Sequence, residues 1–323
     1  MQSGVKLRDI QIRSTARILR FMSTLSYGRW LIERVGCTRF GSSILGSVLG
    51  YRRSFQTLDE AERAVKPYAK GGHENPANAA LHLQLNCAAR PSDYAAFYYL
   101  RDRMPFIRKV FDFGGNVGNL YYCYKNYLPL ASDLKWTVYD LPENNSRGQT
   151  LASERKVANL QFTDNIREAG AVDLFIASGS LHYFDKPLPN LLEGLDQLPR
   201  YILINRTPLT EGREFAVVQD ARHIRVASMI YNRSRMIADF ERLGYAVLGE
   251  WQAPELRLPV ADRPSADLCA FSGLWLEHVN RHAAGSESLH NLAPTSFDGV
   301  TTRSRHFDDA PKADLATQIP SNA

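Results

Sequence analysis

The sequence has no uninterrupted apolar run approaching about eighteen residues, so it predicts no transmembrane helix. Its first residues alternate basic and apolar positions instead of gathering a short apolar segment, which argues against a secretory leader. Cysteine is sparse: Cys37, Cys87, Cys123 and Cys269 are far apart and form no C-x-x-C pair. That spacing argues against a zinc site or a disulfide framework and fits a reducing, cytoplasmic setting with no metal. Internal repeats are also lacking.

The net charge of +5 is unevenly placed. Residues 1–50 hold eight basic residues (Lys6, Arg8, Arg13, Arg17, Arg20, Arg29, Arg34 and Arg39) against Asp9 and Glu33. The segment therefore carries +6, and the remaining chain carries −1. A nucleic-acid enzyme would spread positive charge around its cleft, so the pI of 9.0 says little for RNA or DNA. A basic amphipathic helix over 5–35 instead points to a peripheral membrane contact or a partner protein, with a helix simply packed on the body as the equal alternative.

Glycines and serines around Gly41, Gly46 and Gly50 end that segment, and short helices follow over 57–69, 79–89 and 92–103. Thr57 and Glu60 form a capping-box pattern, and 71–78 reads as a loop. After Pro105 the texture changes. Apolar runs at 109–113, 135–139, 160–162, 172–177 and 201–205 alternate with helical patterns, which predicts β-α-β units and a parallel sheet. A helix over 234–243 precedes two further runs, 245–251 and 268–276, with no crossover helix between them, so this last pair must be antiparallel. The polar stretch after about residue 283 has the composition of a disordered tail. The expected organisation is a basic segment (1–49), a helical cap (50–105), a ligand-binding α/β domain (106–280) and a tail (281–323).

The sharpest signal is Val110-Phe111-Asp112-Phe113-Gly114-Gly115-Asn116-Val117-Gly118, an apolar strand running into a glycine turn and then a helix. The carboxyl end of a first strand is where open α/β sheets bind nucleotide-like ligands. The second strand ends in Asp140, whose carboxylate can accept hydrogen bonds from both hydroxyls of a ribose. A dinucleotide fingerprint would need glycine at 114, 116 and 119, but the chain has Gly114, Asn116 and Asn119. Asp112 would also repel a pyrophosphate, whereas it suits the ammonium of a methionine moiety. The pattern D-x-G-x-x-x-G favours S-adenosylmethionine over NAD.

With these residues the sequence resembles the class I S-adenosylmethionine-dependent methyltransferases, and more narrowly a little-characterised bacterial group of them. The resemblance runs over about residues 50–275. It includes Gly50-Tyr51, Phe55 and Leu58-Asp-Glu-Ala61, the Asp-Phe-Gly-Gly turn, Ala177-Ser-Gly-Ser-Leu-His-Tyr183 and Ile204-Asn-Arg-Thr-Pro-Leu209. It implies a Rossmann-like, mostly parallel seven-stranded sheet with a C-terminal antiparallel hairpin and an N-terminal helical extension. It also implies a cofactor cradle of Asp112, Phe113, Gly114, Gly115, Asn116 and Gly118, with Asp140 on the ribose. Asp164, Asn165 and Ile166 would border the adenine, and Ser178 would close the methionine end. Asn116 departs from the central glycine of the class, though asparagine tolerates left-handed backbone better than other non-glycine residues.

Methyl transfer can proceed largely by positioning, and a base is needed only for a weak nucleophile. His182, in Ser180-Leu-His-Tyr-Phe-Asp185, resembles the base of some small-molecule O-methyltransferases and otherwise reads as packing. Asn205 and Arg206 close the fifth strand and could face the acceptor, with surface placement the blander reading of Arg206. Tyr121, Tyr122, Tyr124 and Tyr127 read mainly as packing. His278 and His282 have zinc-like spacing without the accompanying glutamate and read as solvated surface. The expected activity is methyl transfer to an oxygen or nitrogen of a small molecule or glycan precursor, in the cytoplasm or at the inner face of its membrane. The rivals are a methyltransferase-like binding protein without catalysis and, behind it, an NAD-dependent oxidoreductase.

Overall fold

The protein is described from a computed structural model. It describes residues 25–36, 50–65, 73–74, 76–184, 186–220, 225–256 and 270–279, with shorter pieces at 14–15, 18–19, 21–22, 38, 40–41, 44–45, 258, 260 and 262. The chain divides into two units, Met1–Ala284 and Gly285–Ala323, and every described residue belongs to the first. The tail expected over 281–323 and His282 lie outside the described residues.

Helix α1 (Ser26–Gly36) lies in the basic segment and overlaps the end of the longer helix expected over 5–35, running one residue past it. After it come β1 (Tyr51–Phe55), α2 (Leu58–Val65), α3 (Pro76–Leu85) and α4 (Pro91–Leu100). The Thr57 hydroxyl caps α2 by accepting from Glu60 N–H at 3.2 Å, and Glu60 accepts from Gln56 N–H at 3.0 Å. Two local expectations change here. Pro76 opens α3 rather than sitting in a loop, since its ring presets the helical φ and its missing N–H costs nothing at a first position. Helix α4 begins at Pro91 rather than at Ser92, and Asp93 closes its start by accepting from Arg90 N–H at 2.8 Å.

The α/β part holds β2 (Lys109–Phe113), α5 (Asn119–Tyr124), β3 (Lys135–Tyr139), α6 (Pro142–Glu154), β4 (Leu160–Thr163) and β5 (Leu174–Ser178). It continues with α7 (Leu188–Leu192), β6 (Tyr201–Thr210), β7 (Phe215–Asp220), β8 (Arg225–Asn232), α8 (Arg233–Arg242), β9 (Tyr245–Gln252) and β10 (Ala270–His278). Seven strands lie in the order β4-β3-β2-β5-β6-β10-β9. The first five are parallel, the doubly wound arrangement, and β10 runs antiparallel between β6 and β9. This is the expected Rossmann-like, mostly parallel sheet with its C-terminal antiparallel hairpin.

Both faces of the sheet are covered, and strand alternation divides the cores. Phe111, Phe113, Phe175, Ile202 and Ile204 face Leu58, Ala61, Met236 and Phe240. Val110, Trp136, Val138, Ile176 and Leu203 face Leu100, Met104, Tyr121 and Tyr124. Asp112 falls on the second face with Val110, which puts a carboxylate against apolar and aromatic neighbours.

Three further strands overturn two expectations. The span read as a wholly helical cap contains β1, and 211–232, where no element was expected, forms the hairpin β7–β8. Strand β6 also runs on to Thr210 instead of ending at Asn205, and its extension pairs with β8. Arg206, Thr207 and Pro208 interrupt the apolar pattern that marks a strand. A bulge carries the strand past them: Ser272 pairs with Thr207 and Leu274 with Ile204, so β6 holds one extra residue there. Arg206 absorbs it with φ 55°.

Candidate functional site

The glycine turn sits where β2 gives way to α5, and its geometry explains its composition. Gly114 has φ 71°, and a Cβ there would lie 2.3 Å from the Ser180 Cβ. Its N–H donates to Tyr139 O at 2.8 Å, and Ser180 Oγ donates to Phe113 O at 2.5 Å, so the turn is tied to both neighbouring strand ends. A Cβ on Gly115 would meet the Asp112 carboxylate at 2.5 Å, and Gly118 enters α5 with φ 86°. Asn116 adopts φ 56° and closes its own turn by accepting from Val117 N–H at 3.0 Å. The asparagine therefore takes the left-handed backbone a glycine would supply.

Asp112 is buried beneath this turn and accepts from the Trp136 indole at 3.1 Å. Burial pushes its carboxyl up to about 7, opposed by the Trp136 hydrogen bond and assisted by Asp140. Asp140, at the end of β3, accepts from Asn116 N–H at 2.7 Å, Leu141 N–H at 2.8 Å and the Asn144 amide at 2.7 Å. These bonds lock the carboxylate onto the turn. One of its roughly four acceptor positions remains, on the oxygen that holds Asn116. Asn145 bridges Asp140 O and Thr163 O at 3.0 and 2.9 Å, joining the ends of β3 and β4. Asp164 and Asn165 follow with exposed side chains, and Ile166 is half-buried. Asp112, Phe113, Gly114, Gly115, Asn116, Gly118, Asp140, Asp164, Asn165, Ile166 and Ser178 thus gather around the carboxyl ends of β2 to β5.

His182 lies in a 3-10 turn after β5 and is 3% exposed. Its ring stands 4.1 Å from Tyr183 and 6.0 Å from Phe271, and Nδ1 has no hydrogen-bond partner. The Tyr231 hydroxyl fastens the turn by donating to Leu181 O and Phe184 O at 3.0 and 2.8 Å, and Tyr183 donates to Gln219 at 2.7 Å. Burial, with His73 nearby, lowers the His182 imidazole to about 3, so it is a weak acceptor for a hydroxyl proton.

Burial also lowers His73 and His82 to about 4, with cationic His73, Arg90 and Arg206 adding to the shift at His82. The unfolded chain takes up these protons below about 6.5, while the folded chain resists until 3–4. The stability from neutral burial is full above about 6.5 and is lost as pH falls from there to about 3. Asp112, raised to about 7, works against this fall over the same window, but the three imidazoles outnumber it, so urea unfolding at pH 7.5, 5.5 and 4.5 should show a falling free energy (approximate settings spanning that window), and His182→Phe should flatten the fall. A pH-independent stability would contradict the burial.

Arg206 is not on the surface. It is 3% exposed, and its guanidinium pairs with Asp93 at 2.5 Å, Glu255 at 3.3 Å and Ser178 Oγ at 2.9 Å. Burial opposes its charge, yet Asp93, Tyr124 and Glu255 together hold it above its usual value. Asp93 accepts from Tyr124 at 3.0 Å and from Asn205 at 3.4 Å, Trp251 donates to Asn205 at 3.1 Å, and Ser92 bonds Glu255. Asn205 and Arg206 therefore meet protein groups, closing the sheet end beneath α4. Of these partners, Asp93, Glu255 and Trp251 were not marked by the sequence pattern, because they come from three distant segments and match no spacing rule. His73 was missed similarly: its ring lies 4.1 Å from Tyr183, and its carbonyl accepts from Asn144 at 3.4 Å.

Tyr121, Tyr122 and Tyr124 are buried, as packing required, and Tyr127 is 42% exposed. His278 ends β10 edge-on to Tyr245 at 5.1 Å. A cavity of about 710 Å³ lined by Gln149, Lys156, Leu160 and Phe162 lies along α6 and β4, outside the glycine turn.

No family model matches the sequence, and no curated protein matches it. Solved structures are similar in fold. The N-terminal domain of EvdMO1, with SAH bound, aligns at 14% identity and a TM-score of 0.42, over 58% of this chain and 81% of that one. An S-adenosylmethionine-dependent methyltransferase from Aquifex aeolicus gives 14% and 0.40, over 68% and 98%. The Burkholderia thailandensis 1,6-didemethyltoxoflavin-N1-methyltransferase, with 1,6-didemethyltoxoflavin and S-adenosylhomocysteine bound, gives 16% and 0.39, over 59% and 77%.

Proposed function

We propose that the protein transfers a methyl group from S-adenosylmethionine to an oxygen or nitrogen of a small molecule or glycan precursor. The observation that carries this reading is the glycine turn at the end of β2, held by Asp140 from β3 through a 2.7 Å bond to Asn116 N–H. Asp140 lies at the mouth of that turn, with Asp112 buried beneath it, so a pyrophosphate there would face the Asp140 carboxylate, whereas a phosphate-free nucleoside brings no opposing charge. The donor set fits: a residual acceptor position on Asp140 for ribose, the Asp164–Ile166 edge for adenine and Ser178 toward the methionine end.

S-adenosylmethionine supplies a methyl group on a sulfonium, already electrophilic. Held there, it would give that methyl group to the acceptor with the sulfur keeping the electron pair, and the acceptor's proton would go to solvent. The chain's part is orientation: holding a nucleophile within about 3–3.5 Å, in line, supplies much of the rate. Asp112 shapes the turn from below, and the Arg206–Asp93 pair fixes Ser178 from behind. His182, buried and neutral, packs the β5 turn.

Asp140→Ala should weaken S-adenosylmethionine binding at least about tenfold, equivalent to about 1.4 kcal/mol, with the fold retained. Calorimetric titration of the variant checks this, and unchanged affinity would remove Asp140 from the site. Incubation with methyl-labelled cofactor and a metabolite and glycan extract should then label a product. Binding without any labelled product would favour a methyltransferase-like binding protein.

A further inference from the structure

Helix α1 presents two unlike faces. Gly28, Ile32 and Gly36, four residues apart, are buried, with Leu45, Leu19 and Met22 packed around Ile32. At the same spacing, Tyr27 is 74%, Leu31 38% and Val35 40% exposed, and Trp30 beside them is 50% exposed. Phe21 and Leu25, just before the helix, are 67% and 51% exposed. The Tyr27 and Trp30 rings stack at 5.7 Å, and the Arg34 guanidinium lies 5.6 Å over Trp30. On α1 itself, Tyr27, Trp30, Leu31 and Val35 thus form an outward apolar stripe.

Charge selects its occupant. Residues 1–50 carry +6 while the rest carries −1, so the apolar stripe lies in the most basic part of the molecule. A second copy would bring +6 against +6. A bilayer rich in anionic lipid offers opposite charge together with an apolar boundary, and Trp and Tyr favour that boundary layer. Among the described residues no helix is long and apolar enough to cross a membrane, so the contact would lie in the interface plane. We propose that α1 is an interfacial anchor that docks the protein on an anionic lipid surface, with Tyr27 and Trp30 at headgroup level and the arginines against lipid phosphates. This proposal is independent of the methyl-transfer reading.

The test is sedimentation of the full-length protein with phosphatidylcholine vesicles, with and without phosphatidylglycerol, at low and high salt. Binding should be about tenfold or more tighter on the anionic vesicles and should weaken with salt. Tryptophan emission should shift to the blue on binding, and Trp30→Phe should bind while losing the shift, because Trp136 and Trp275 are fully buried and Trp251 is half-buried. Trp30→Glu with Leu31→Glu, both at exposed positions, should keep the unfolding midpoint and lose about tenfold or more in vesicle binding. Absence of wild-type binding to anionic vesicles, or equal binding by the double variant, would overturn the proposal. So would a dimer abolished by the same variant in the absence of vesicle binding, which would assign the stripe to a second copy.

Discussion

Gly114→Ala should abolish measurable S-adenosylmethionine binding and lower stability by about 2–5 kcal/mol. Two costs combine. Alanine at φ 71° carries left-handed strain of about 1–2 kcal/mol, and its Cβ would stand 2.3 Å from the Ser180 Cβ, an overpacking cost of about 1–3 kcal/mol. The turn can relieve this only by moving away from Ser180, which breaks the register with Phe113 O and Tyr139 O that sets the cradle. Adding Ser180→Gly removes the collision but not the strain, so it should restore part of the stability. Denaturant unfolding and calorimetry of the single and double variants check this. Unaltered binding by Gly114→Ala would show that the turn does not hold the cofactor.

Asp93→Ala should destabilise the protein by about 3–5 kcal/mol, because it leaves the Arg206 guanidinium buried and short of a carboxylate. Asp93 and Arg206 side chains are 1% and 3% exposed, so solvent cannot take over. The contrast is Asp59–Arg63, a 2.9 Å pair with side chains 75% and 63% exposed, where Asp59→Ala should cost at most about 0.5 kcal/mol. Replacing both buried partners, Asp93→Leu with Arg206→Met, should cost less than Asp93→Ala alone. Equal unfolding midpoints for Asp93→Ala and Asp59→Ala would mean that the network under α4 is not closed as described.

The centre of the sheet was legible because β2, β3, β5 and β6 are apolar runs largely buried on both faces, the pattern of a parallel sheet. Runs 109–113 and 135–139 match β2 and β3 residue for residue. The accessory strands were not legible for an equally local reason. Thr207 and Pro208 look like a loop after Asn205 because a bulge at Arg206, not an apolar pattern, carries the strand onward. Hairpin β7–β8 has polar ends, and the pair that closes it, Arg225 to Asp220 at 3.0 Å, reads in sequence as loop charge.

The turn itself was legible because left-handed backbone and close approach demand glycine or asparagine, and both leave a mark in sequence. What the turn rests on was not. Nothing in the spacing of Asp112 and Trp136 announces a buried carboxylate–indole bond, and nothing near Arg206 points to Asp93, more than a hundred positions earlier. Arg206 read from its neighbours is a surface or acceptor-facing arginine. Its burial follows from three elements that meet only once the sheet has formed.

The central claim is that the crevice at the ends of β2 and β3 binds a nucleoside bearing a methionine tail and no phosphate. Titrating S-adenosylhomocysteine and NAD separately into the wild-type protein, followed by calorimetry, tests it most directly. Saturable binding of S-adenosylhomocysteine at one site, with no heat from NAD at the same concentrations, is the predicted result. Saturable binding of NAD, or no binding of S-adenosylhomocysteine by the folded protein, would contradict it.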